Sequence, residues 1–168
     1  MEFYSEKADQ RGIALTLHQI GMIHQNRGDY DAALEKYNES LEIAKKLGDQ
    51  SSIAIIFGQI GNIHHHRGDY DAALAKFNES LQINIRLRDQ SGIASSSGQI
   101  GILLLNSENY KEAFGYLHAA YSIFDGLKLD PQKQKILECI LEIRNKIGEE
   151  EFNTLIESLS SDKKDVTQ

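Results

Sequence analysis

The stretch QIGNIHHHRGDYDAALAKFNESLQI, from Gln59 to Ile83, decides how this chain folds. Nearly the same words stand 40 residues earlier, as QIGMIHQNRGDYDAALEKYNESLEI from Gln19 to Ile43. A third, altered copy begins at Gln99: QIGILLLNSENYKEAFGYLHAAYSI. Set residues 11–50 over residues 51–90 and about 24 of the 40 positions are identical, a fixed period that marks a stacked repeat array.

Each unit predicts two helices. The first spans about Ile13 to Asn26, and again Ile53 to His66; Ile13, Leu17, Ile20 and Ile23 recur at three- and four-residue spacing and share a face. The second starts near Tyr30 and carries Ala33, Leu34, Tyr37 and Leu41 on one side. Between them lie Arg27-Gly28-Asp29 and Arg67-Gly68-Asp69, where Gly permits a tight turn and Asp suits a helix N-cap. Gly21, Gly61 and Gly101 share one register, as do Ala33, Ala73 and Ala113. A glycine inside a helix costs about 1 kcal/mol against alanine, so three at one period imply close helix packing that offsets the cost.

With those residues in view, the chain resembles the tetratricopeptide repeat family. The first copy carries the pattern as Leu17, Ile20, Gly21, His24, Gly28, Tyr30, Ala33, Tyr37 and Ser40, and the second as Phe57, Ile60, Gly61, His64, Gly68, Tyr70, Ala73, Phe77 and Ser80. The third keeps Ile100, Gly101, Tyr110 and Ala113, with Ser97, Leu104, Leu117 and Ala120 at the remaining positions. The family's usual period is about 34. The period of 40, with a Leu47-Gly48-Asp49-Gln50 turn between units, is similar to the longer-helix variety in kinesin light chains and prokaryotic signalling arrays. The resemblance implies an all-α, right-handed α-α superhelix, a solenoid of antiparallel helix pairs.

Composition narrows the function classes. A net charge of −7, spread through the helices, argues against a nucleic-acid binder, which needs a basic face for phosphates. No apolar run approaches the roughly 18 residues of a membrane span, and no secretory leader follows Met1. The single cysteine, Cys139, has no internal disulfide partner, which fits a cytoplasmic setting.

Taken in order, residues 1–10 align with residues 41–50, so they read as the end of a preceding repeat helix in a longer protein, or as an N-terminal cap. Residues 11–50 and 51–90 are the first two repeats, and 91–130 a degenerate third. In the third, Ser95-Ser96-Ser97-Gly98 replaces bulkier residues, which predicts looser packing. Ile102 to Leu105 make a helix apolar almost all round, either buried or a patch for a partner or second copy. Residues 131–160 read as a capping helix pair, starting at Pro131, with apolar stripes at Ile136, Leu137, Ile140, Leu141 and Ile147, then Phe152, Leu155, Ile156 and Leu159. Residues 161–168 read as a disordered tail.

No catalytic constellation emerges: there is no phosphate loop, no H-E-x-x-H, and Cys139 lies in an apolar stripe. His64, His65 and His66 point about 100° apart on a helix and cannot converge on one ion, so no metal or other cofactor is expected. The expected activity is binding of a protein or peptide ligand, or of another copy of the chain, with no chemical transformation. In the family the first helices line an inner groove. Carried over by register, that groove comprises His18, Gln19, Met22, Gln25 and Asn26, then Ile55, Gln59, Asn62, His65 and His66, then Ser95, Gln99, Ile102 and Asn106. Gln19, Gln59 and Gln99 form a repeated set of amides that can both donate to and accept from a peptide backbone; glutamine is equally a good surface helix former. Co-chaperone arrays that hold a C-terminal carboxylate carry Lys and Asn at fixed first-helix positions. Here His18, Gly58 and Gly98 stand at the Lys position and only Asn62 matches the Asn, which speaks against such a clamp.

Overall fold

The computed structural model describes residues 2–165, with side chains from 8 to 159. Among these residues every regular element is a helix: α1 (Glu2–Arg27), α2 (Tyr30–Leu47), α3 (Gln50–Arg67), α4 (Tyr70–Leu87), α5 (Gln90–Asn106), α6 (Tyr110–Gly126), α7 (Asp130–Ile147) and α8 (Glu149–Asp165). The chain divides into two compact units, Met1–Gly92 and Ile93–Gln168.

The helices end on a second, finer period. Gly28, Gly48, Gly68, Arg88, Glu108 and Lys128 all have positive φ, between 56° and 82°, and recur every 20 residues. Each is a left-handed residue just past a helix. At Gly48, for example, the amide reaches back to the carbonyls of the last helical turn, so otherwise orphaned acceptors are satisfied. Asp49 then caps α3, its side chain accepting from the Ser52 amide at 3.1 Å, which is why that helix starts at Gln50 and not near Ile53. Asp29 and Asp69 hold the N-cap position without a side-chain cap bond. Their carboxylates lie 3.7 and 3.6 Å from the Nδ1 atoms of His24 and His64.

The period breaks at the start of the chain. α1 is continuous through Asp9 and Gln10, where the alignment with residues 41–50 places a turn. Ala8 occupies the register of Gly48, and a left-handed conformation costs an alanine about 1–2 kcal/mol, so helix continues. At the other end α8 carries helical backbone to Asp165, beyond the expected end of the last helix; residues 166–168 lie outside the described residues.

In the first unit, α1 pairs with α2, α3 with α4, and α2 also packs on α3. The glycine register sets the pairing. A Cβ on Gly21 would lie 2.7 Å from the Tyr37 ring, and one on Gly61 2.6 Å from the Phe77 ring. One turn along, Ser40 donates to the Ala14 carbonyl and Ser80 to the Ala54 carbonyl, both at 2.8 Å and buried. The core joins Ala33, Tyr37, Leu41 and Ala44 of α2 to Ile53, Ile56, Ile60 and Ile63 of α3.

In the second unit, Gly101 of α5 sits against Leu117 of α6 in the same manner. Leu105, Phe114, Phe124, Ile136, Ile143 and Phe152 contribute to its core, with the Phe114 and Phe152 rings edge to face at 5.2 Å. Leu103 and Leu105 are buried, so the apolar third-repeat helix is core and not an open patch. The expected looseness around Ser96 and Ser97 does not occur. Both are buried, and the Ile136 side chain of α7 comes within 2.9 Å of where a Cβ on Gly98 would stand. Small side chains there admit a neighbouring isoleucine instead of leaving a void. Pro131 lies in the first turn of α7, as expected.

Candidate binding surface on the first helices of the repeats

In the first unit, a cleft of about 330 Å³ opens between α1, α2 and α3. Its apolar wall includes Ala14, Leu15, Ala44, Leu47, Ile55 and Ile56, and Arg11, His18, Asp49 and Ser52 bring polar groups to it. Leu15 and Ile55 occupy one register of successive repeats and are 59% and 54% exposed, high for residues that could be packed. Two of the expected groove residues, His18 and Ile55, thus meet at this cleft. Leu15 was missed, although the 40-residue period that singled out Ile55 points to it.

His18 is half-buried beside the Tyr37 ring, centroids 5.4 Å apart, and its Nδ1 is buried without a hydrogen-bond partner. Burial lowers its pKa below the usual imidazole value, favouring the neutral ring. Burial also pushes the Tyr37 hydroxyl up to about 12. That hydroxyl donates to Gln25 Oε1 at 2.6 Å, so Gln25 is engaged in the α1–α2 packing. Gln19, Met22 and Asn26 are exposed on α1, and Gln59 and Asn62 are half-buried on α3.

The end of α3 holds an aromatic cluster. His66 stacks on Tyr30 of α2 with rings 5.9 Å apart and 3° from parallel, and Arg67 lies over the same ring at 5.8 Å while pairing with Asp31 at 2.6 Å. His65 lies 5.9 Å from both His66 and Tyr70, and its pKa is lowered by burial and by neighbouring His66. His66 therefore belongs to the α2–α3 joint. No group of three or more His, Cys, Asp or Glu side chains among the described residues could hold a metal ion.

The second unit carries the remaining groove positions: Ser95 and Asn106 exposed, Gln99 half-buried, and Ile102 half-buried against the core. It also has an apolar cleft of about 390 Å³ lined by residues of α6, α7 and α8, among them Phe114, Tyr121, Leu137 and Ile156. Cys139 is half-buried, and burial raises its thiol pKa, which disfavours the nucleophilic thiolate.

The repeat pattern on this scaffold matches a known family. The tetratricopeptide repeat profile covers residues 12–86 and, one unit later, 52–126. The chain belongs to the tetratricopeptide repeat family. Among solved structures, this tetratricopeptide protein is similar to BtubC (BKLC) from P. vanneervenii, with a TM-score of 0.62 and 17% identity over 79% of this chain and 62% of that one. It is also similar to the N-terminal domain of stress-induced protein-1 (STI-1) from C. elegans, with a TM-score of 0.58 and 14% identity over 76% of this chain and 96% of that domain. At these identities the likeness shows the fold: antiparallel helix pairs of a tetratricopeptide solenoid. The chain spans less than two thirds of the length of BtubC. No curated protein matches it in sequence. No helix among the described residues is long and apolar enough to cross a membrane.

Proposed function

We propose that this tetratricopeptide chain is a protein-interaction module that takes a peptide or helix along the first helices of its repeats, as one part of a larger cytoplasmic scaffold or signalling protein. The observation that carries this reading is the cleft between α1 and α3, where Leu15 and Ile55 face solvent at one repeat register beside the unpartnered Nδ1 of His18. Two exposed aliphatic side chains around about 330 Å³ suit an apolar side chain of a ligand. Arg11, His18 and Ser52 can meet its backbone or a neighbouring polar group. Tetratricopeptide repeats are binding scaffolds, and nothing in the arrangement requires the ligand to be transformed.

Peptides selected from a displayed random library against the purified chain, then measured by fluorescence anisotropy, test this. The expected peptides share an apolar anchor, lose affinity at least tenfold for Leu15→Asp or Ile55→Asp, and weaken for Gln59→Ala combined with Asn62→Ala with no change in oligomeric state. Selected peptides that bind all these variants as well as the parent chain would place recognition elsewhere.

A further inference from the structure

The first two repeats carry the same apolar stripe in different surroundings. Ile53 and Ile63 on α3 are 6% and 0% exposed, covered by α2. Their register equivalents on α1, Ile13 and Ile23, are 48% and 50% exposed, because α2 occupies only the Ala14–Gly21 side of α1. Asp9 and Arg27 continue the stripe by one helical turn at either end, and an open groove runs along it past Asp9, Ile13 and Thr16. Arg67, the equivalent of Arg27, pairs with Asp31 of the covering helix, whereas Arg27 has no such partner among the described residues. The face is one half of a repeat-to-repeat joint.

The stripe is complementary to itself when reversed. Asp9 and Arg27, Ile13 and Ile23, and Thr16 and Ile20 are each equally far from residue 18. We propose that two copies of the chain pair through α1, antiparallel about a two-fold axis level with residue 18 along the helix, on the face opposite the His18 side chain. Ile13 then meets Ile23 of the partner subunit, Thr16 meets Ile20 of the partner subunit, and Asp9 pairs with Arg27 of the partner subunit, each contact occurring twice. Such an isologous contact closes on itself and gives a dimer, not a filament. It uses a different face of α1 from the Leu15–His18 cleft, so it is independent of peptide binding there.

Light scattering coupled to size exclusion over a hundredfold concentration range, with sedimentation equilibrium for the dissociation constant, tests the pairing on the whole chain. The expected mass rises to twice the monomer and stops. Ile23→Glu, at a half-exposed site, leaves the helical circular dichroism unchanged and weakens the dimer at least a hundredfold by putting a carboxylate in a dry contact. Arg27→Glu weakens it by about tenfold, because two attractive pairs become repulsive, and Asp9→Arg in the same chain restores the parent value. A mass that stays monomeric throughout overturns the proposal. So does a dimer that survives Ile23→Glu. Weakening by Arg27→Glu that Asp9→Arg does not relieve overturns the antiparallel pairing and points to another helix as the occupant.

Discussion

Replacing Gly61 with alanine tests the packing that holds each helix pair together. In a helix free of neighbours this change gains about 1 kcal/mol of propensity. Here the new methyl would lie 2.6 and 2.7 Å from two ring carbons of Phe77, where carbon–carbon contacts want about 3.5–4.0 Å. Phe77 is 1% exposed, so its ring cannot swing into solvent, and the helices must part or the ring must leave its rotamer. Overpacking of this kind costs about 1–3 kcal/mol, which exceeds the propensity gain at all but its lower limit. The expected net loss is about 1 kcal/mol, the middle of a range from about 0 to 2, read as a lower midpoint in urea denaturation followed by far-UV circular dichroism. Gly115 is the control: it lies within α6 with no atom within 4 Å of an added Cβ, so Gly115→Ala should stabilise by about 0.5–1 kcal/mol. In a Phe77→Ala background the sign at residue 61 should reverse, because the clash is gone and propensity remains. A midpoint for Gly61→Ala equal to or above the parent's would refute the reasoning, and so would an unchanged sign in the Phe77→Ala chain.

Ser80→Ala should cost about 1 kcal/mol in the same assay, since a buried 2.8 Å bond from α4 to the Ala54 carbonyl of α3 is lost. Arg88→Gly should stabilise by about 0.5–1 kcal/mol, because Arg88 holds φ 56° at the register where Gly48 sits without steric cost. Leu105→Glu should unfold the second unit, not merely alter association, because the leucine is 6% exposed within that core. Stability should fall as pH drops below about 6.5: burial lowers the folded pKa of His18 and of His65, so the unfolded chain binds more protons in the window between the unfolded and folded values. The chain with His18→Gln should show a shallower decline in urea midpoint from pH 7.5 to 5.5 than the parent.

The Asp49 and Asp69 turns show how local signals divide. In the structure both hold the N-cap position. The sequence identifies Asp69 as a helix start and places Asp49 only in the turn between repeats. It cannot say that Asp49 bonds the Ser52 amide while the Asp69 carboxylate turns toward His64, because that choice depends on which ring stands across the turn. The candidate surface divides in the same way. The 40-residue register locates the first-helix positions, yet only packing shows that Gln25 receives the Tyr37 hydroxyl, that His66 stacks on Tyr30, and that Leu15 opens onto the cleft with Ile55.

By itself the sequence determined the family, the helix pairs and the glycine contacts, because a repeated unit must solve the same packing problem each time and leaves the same small residues where backbones approach. The tertiary structure decided which copies of an identical stripe are dry. Ile23 and Ile63 are the same residue at the same register, one half-exposed and the other sealed, because α3 packs between α2 and α4 whereas α1 packs against α2. Exposure belongs to the neighbour and not to the residue, so no local pattern could have told the two apart.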